Sequence, residues 1–162
     1  MNKPLPDKIR NVLKEYLSIV FNTAETSKMG FSLKIKGVSD YFYDVVKTLE
    51  ETASKRKNKF LTIDLDFEDF GLNEIDEDGK IIVPNWLKEN EGFVILVYNV
   101  DSLRRNDYRI RQLREIILRR KIEDINIPPY KHFVVLSDKK LGIEEKVIEI
   151  DLKRVEDERV QD

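Results

Sequence analysis

The chain has 162 residues, 41% hydrophobic and 37% charged, with a formal net charge of −2. That is length and apolar content for one domain with a real core, and it excludes wholesale disorder. Zero cysteines exclude disulfides, thiolate metal sites and cysteine nucleophiles, and a single histidine, His132, argues against His-rich zinc sites and Ser-His catalysis.

No apolar run approaches the roughly 18 residues of a membrane span. The opening MNKPLPDKIRNVLKEY has no apolar signal core, so a cytoplasmic protein without a membrane partner is expected. Lys and Glu are abundant against only two Ala and two Gln, a bias that suits a thermophile.

Pro6 fits the first turn of a helix in which Ile9, Val12, Leu13, Tyr16, Leu17 and Val20 recur at helical spacing. The polar NTAETSKMG (22–30) is expected to end it. FSLKIK (31–36) alternates apolar and charged residues, the mark of a strand with one wet face, which sits best at a sheet edge. Ser39 or Asp40 is placed to cap a helix whose Phe42, Val45, Val46, Leu49 and Ala53 form one stripe. KFLTIDLDF (59–67) alternates again and predicts a second strand. Residues 70–92 are acidic and rich in turn residues, so irregular backbone with a short helix after Pro84 is expected.

FVILVYNV (93–100) is apolar on both faces, which predicts a central, covered strand. Asp107 is placed to cap a basic helix running to Lys121 with Ile110, Leu113 and Ile117 inward. INIPPY (125–130) breaks the chain, HFVVLS (132–137) predicts a second buried strand, and KVIEIDL (146–152) a last strand at an edge. The closing KRVEDERVQD (153–162) lacks apolar mass and should fray. This alternation predicts one three-layer α/β domain over residues 1–152, its first 30 residues a helix and linker. Its sheet is mostly parallel, with central strands near 93–98 and 133–136.

In that order, FVILVYNVDSL (93–103) resembles the Walker B strand of AAA+ and archaeal-type P-loop ATPases. HFVVLSD (132–138) resembles their sensor strand, which ends in a polar residue, here Ser137. FSLKIKG (31–37) followed by a helix takes the place of the first strand and phosphate loop. The resemblance spans roughly residues 31–152 and implies a P-loop-ATPase-like core. It does not bring the catalytic residues. Aligned from Gly37, the second glycine of the phosphate loop falls at Phe42, its lysine at Tyr43 and its hydroxyl residue at Asp44. The Walker B acids fall at Tyr98 and Asn99, which cannot hold Mg²⁺. The resemblance therefore implies a pseudo-ATPase, and no cofactor is expected.

Asp64 and Asp66 stand at i and i+2, which on a strand turns both carboxylates to one side, where they could share Mg²⁺. The pair also resembles the D-x-D of toprim domains, although Lys36 stands where their glutamate should be. EIDEDGKIIVPN (74–85) matches part of a calcium loop at Glu74, Asp76, Asp78, Gly79 and Ile81, but Asn85 replaces the closing glutamate, so a solvated turn at Asp78–Gly79 is expected. Asp138, Asp151 and Lys153 follow the order of a restriction-type D…D-x-K site, which ranks last because that fold needs another helix and strand after the lysine.

Charge is unevenly placed. Residues 104–121 hold eight basic residues against Asp107 and Glu115, a net of +6, so the rest of the chain carries −8. At about 100° per residue, Arg104, Arg111 and Arg119 gather opposite the apolar face, flanked by Arg114 and Arg120. Seven of the eight are arginine, which favours bidentate contact with phosphate or carboxylate. Arg104, Arg105, Arg109, Arg111, Arg119, Arg120 and Lys121 are the candidate contacts to nucleic acid, to an acidic protein or to a second copy. The plain alternative is a solvated face whose last residues offset the helix dipole. The expected function is a non-catalytic AAA+-like module that binds nucleic acid or an acidic partner through this helix. A metal-dependent nuclease or toprim-like phosphotransfer enzyme using Asp64 and Asp66, and a structural or assembly subunit, are the alternatives.

Overall fold

Five segments of the computed structural model, which describes residues 2–155, pair into one sheet. They are β1 (Ser32–Lys36), β2 (Lys59–Asp64), β3 (Phe93–Tyr98), β6 (Lys131–Leu136) and β7 (Ile148–Asp151). A small antiparallel ribbon of β4 (Lys121–Ile122) and β5 (Ile125–Asn126) precedes β6. Across the sheet the order is β2-β3-β6-β1-β7, and every pairing is parallel.

Because strand side chains alternate, β3 and β6 feed two cores at once. Val94, Leu96, Val134 and Leu136 pack under α1 (Asp7–Ser27) and α2 (Phe42–Lys55). Phe93, Ile95, Val97, Phe133 and Val135 pack on the other face, under α3 (Asn85–Lys88) and α4 (Tyr108–Arg119). The domain is thus three layers, helix on sheet on helix, with the central strands where the apolar runs predicted them. Among the described residues, no helix is long and apolar enough to cross a membrane.

Several elements differ from the sequence reading. β1 is not an edge strand but lies between β6 and β7. Lys34, only 2% exposed, is accommodated because its Nζ donates to the carbonyl of Lys139 at 2.5 Å and to Glu144 at 3.2 Å. Lys36 pairs with Glu149 at 3.7 Å. A buried ammonium with two acceptors costs far less than a bare one, so alternation with charge does not force a strand to the edge.

Helix α1 runs on to Ser27, through the polar stretch expected to end it, because Phe21 and Ala24 are buried; Lys28 closes it in left-handed conformation at φ 55°. Gly30 follows at a close approach, since a Cβ there would stand 2.3 Å from the Lys131 carbonyl oxygen. The N-cap of α2 is Tyr41, with no side-chain bond from Ser39 or Asp40. Strand β2 stops at Asp64, so Asp66 lies in a turn. Beyond β7, residues 152–155 make a helical turn capped by Asp151, with Val155 packed on the core. The remainder of the expected tail, 156–162, lies outside the described residues.

Candidate functional site

In parallel sheets, the carboxyl ends of the strands share one edge, and ligands collect there. The ends of β1, β3 and β6 meet around a cleft of about 170 Å³ lined by Val38, Phe42, Tyr98, Asn99, Ser137 and Asp138. This is well under the roughly 300–1,000 Å³ of small-molecule sites.

Its walls bond to one another. Gly37, at φ 74°, donates its N–H to Asp138 Oδ1 at 2.7 Å. The Asp138 N–H donates in turn to Asp101 Oδ2 at 2.8 Å, the Ser137 hydroxyl donates to Asp101 Oδ1, and Lys139 Nζ donates to the Asp101 carbonyl at 2.6 Å. Asp101 therefore ties the loop after β3 to the end of β6. The Phe42 ring lies 5.0 Å from that of Tyr98, whose phenol is pushed up by burial and by the Asp64 carboxylate. Tyr43 points outward, exposed. Asp44, in the first turn of α2, accepts from the Leu5 N–H at 2.8 Å and from Arg10 at 3.1 Å. An amide that could meet a phosphate is thus occupied by a carboxylate of the same chain, and neither Tyr43 nor Asp44 lines the cleft.

Asp64 and Asp66 stay close, but around the chain's own donors. Asp64 Oδ1 accepts from Asn99 Nδ2 at 2.8 Å and from the Asp66 N–H at 3.0 Å, while Asp66 accepts from the Ser102 hydroxyl. Among the described residues, no three His, Cys, Asp or Glu side chains gather as a metal would require. Asp76, in the calcium-like stretch, closes its own turn by accepting from the Asp78 and Lys80 N–H groups, each at 2.9 Å. Asp151, the middle residue of the D…D-x-K order, accepts from the Lys153 N–H at 3.1 Å.

The basic residues divide into two groups. Asp107 caps α4 as expected, accepting from the Arg109 N–H at 2.9 Å, and the Arg109 side chain holds its carboxyl down at about 2. Arg109 folds back onto Asp107 with Nη2 at 2.8 Å and bonds the Leu65 carbonyl through Nη1. Arg120 lies past the helix end at φ 54°; its Nη2 donates to the carbonyls of Pro128 at 2.7 Å and Lys131 at 2.8 Å. Burial pulls its guanidinium down to about 10. Arg109 and Arg120, both among the candidate contacts, are thus engaged by groups of the chain itself. Arg104 and Arg105 precede α4 rather than riding on it. Together with Arg111, Arg119 and Lys121 they are exposed.

A hollow of about 550 Å³ that the sequence did not reveal adjoins this strip. Val100, Ile110 and Leu141 floor it, while Arg105, Lys139 and Lys140 stand at its rim. Arg114, whose Nε donates to the Leu141 carbonyl at 2.6 Å, lines both this hollow and a neighbouring furrow with Arg111 and Arg119. Lys139 and Lys140 lie outside the basic run in sequence. The available signal was their position just after a buried parallel strand, since neighbouring strand ends share one edge. No family model matches the chain, and no curated protein matches its sequence.

Proposed function

We propose that the protein is a non-catalytic module of AAA+-like build, which has given up its nucleotide site and works through its arginine strip on an anionic macromolecule. The carrying observation is the Asp138 carboxylate on the Gly37 N–H, with Phe42 against Tyr98 beside it. A phosphate loop closes backbone N–H groups on phosphate; here a fixed negative charge already holds that position and would repel one. Supporting the family reading, the sensor-like strand β6 lies between the phosphate-loop-like β1 and the Walker-B-like β3, the neighbour relation an AAA+-type core would have. The strip supports the binding role, because Arg104, Arg105 and Arg119 have no side-chain hydrogen bond or ion pair among the described residues.

Titration calorimetry with ATP and Mg²⁺ should show no saturable heat, and a phosphate-release assay no turnover. Retention on an immobilised sulfated polymer should be salt-sensitive and should fall sharply when Arg104, Arg111 and Arg119 are changed together to Gln. Mg²⁺-dependent turnover sensitive to changes near Gly37, or retention unchanged in the triple variant, would overturn the reading. The nuclease alternative rests on Asp64 and Asp66 alone, and cleavage of labelled nucleic acid lost in Asp64→Ala would restore it.

A further inference from the structure

The acidic counterpart of the arginine strip lies on the same chain. Residues 64–79 contain eight Asp and Glu and no Lys or Arg. None of those eight forms an ion pair among the described residues. In their midst Phe67 is 88% exposed, with Asp66, Glu68 and Asp69 beside it, and Ile75 is exposed on the same segment. A single exposed apolar side chain is ordinary on a protein surface; what sets Phe67 apart is the ring of carboxylates around it, without ion pairs among the described residues.

The turn that presents Phe67 is fixed. The N–H groups of Phe67 and Glu68 donate to the Asp64 carbonyl at 3.1 and 2.9 Å, and the Ser102 hydroxyl holds Asp66. Ordering it on contact therefore costs little.

We infer that Phe67 of one copy seats in the basic-rimmed hollow of a second copy, so that the strip's anionic partner is this chain itself; this rests on the strip being an interaction surface, as proposed above. The two surfaces match in both respects. One is an apolar knob in an acidic collar, and the other an apolar floor of Val100, Ile110 and Leu141 in a collar of Arg105, Arg114, Lys139 and Lys140. No carboxylate lines that hollow among the described residues, and its 550 Å³ has room for an aromatic ring and its neighbours. Phosphate backbone would satisfy the rim but offer nothing apolar to the half-buried Leu103 and the arginine and lysine stems that also line the hollow. Stacked bases would need an aromatic side chain, and neither the hollow nor the furrow supplies one. Knob and hollow are different patches of one surface, so two copies can exchange knobs across a two-fold axis or add head to tail; the contact is the same in either case.

Sedimentation equilibrium of the full chain tests this at about 0.05 M and about 0.5 M salt, where screening differs severalfold. Two surface variants accompany it: Phe67→Ser, which removes the knob, and Arg105→Glu with Lys140→Glu, which reverses the rim. The wild type should exceed its 19.2 kDa chain mass at low salt and return to it at high salt. Each variant alone should associate at least about tenfold more weakly, as loss of a central anchor does. Mixed in equal amounts they retain one good knob and one good hollow, so a two-chain species and nothing larger should form, an outcome that misfolding of either variant would not give. A wild type that stays at chain mass at low salt, variants that assemble as the wild type does, or a mixture with no two-chain species would each overturn the inference. Polyanion retention that depends on the strip in a strictly monomeric protein, or duplex DNA bound by that monomer, would overturn it while leaving the proposed function standing. Loss of retention and association together would remove both.

Discussion

Lowering the pH should destabilise this protein through its only histidine. His132 is buried on β6, its ring stacked 4.4 Å from Phe31 and edge-on to Phe21, with Nδ1 accepting from the Phe31 N–H at 3.1 Å. A proton on Nδ1 would turn that acceptor into a donor facing a donor. Burial, and secondarily the Arg120 charge, lower its pKa from 6.5 to about 4. The unfolded chain therefore takes up the proton first. Stability from neutral His132 is complete above pH 6.5, falls as pH drops through the window between the two values, and levels off below about 4. The difference amounts to about 3 kcal/mol in all, most of which is gone by pH ~4.5. Against the usual 5–15 kcal/mol of a domain, that is a large share. Urea unfolding from pH ~7.5 to ~4.5 should show it, compared with His132→Gln, whose amide oxygen can still accept from Phe31. The wild type should lose about 2–3 kcal/mol more than the variant over that range. Asp107, held at about 2, and Glu144 titrate lower and are common to both proteins. Curves that run parallel would refute the assignment.

Asp107→Ala should cost about 1–2 kcal/mol in urea unfolding, because it uncaps α4 and releases Arg109. That contribution is present above the ordinary 3.8 and is lost as pH falls towards about 2. Lys131, 0% exposed, donates Nζ to the carbonyls of Glu89 and Glu91, each at 2.7 Å. Lys131→Met keeps the bulk but strands both carbonyls, so a loss of about 1–3 kcal/mol is expected in the same assay, and a neutral result would contradict it.

The sheet was legible where side chains speak for both faces at once. Phe93–Tyr98 and Phe133–Leu136 are apolar at every position, and only a doubly covered strand accommodates that. Strand β1 was not legible, since the acceptors that let Lys34 be buried, Lys139 O and Glu144, lie more than a hundred residues along the chain. The Asp107 cap and the inward Ile110, Leu113 and Ile117 are local relations and were read correctly. The roles of the arginines depend on what folds near them. Arg109 and Arg120 find Leu65 O, Pro128 O and Lys131 O, none of which sequence spacing places beside them. The hollow escaped for the same reason, being assembled from the ends of β3 and β6.

The place of β1 in the sheet bears on how the chain folds as it is made. Strand β2 finds β3 soon after it emerges, but Leu33 pairs with Val134 on one side and Ile148 on the other, about a hundred residues later. At roughly 5–20 residues per second, β1 waits on the order of 5–20 s for either neighbour. During that interval it is an exposed strand with two open edges, the state in which nascent chains pair with one another. Lys34 and Lys36 are then solvated charges on a strand that would otherwise read as Leu33 and Ile35 alone, and lysine on an open edge discourages such pairing. Replacing Lys34 with Leu should therefore raise the fraction of newly made protein that aggregates, even where the finished domain tolerates the change.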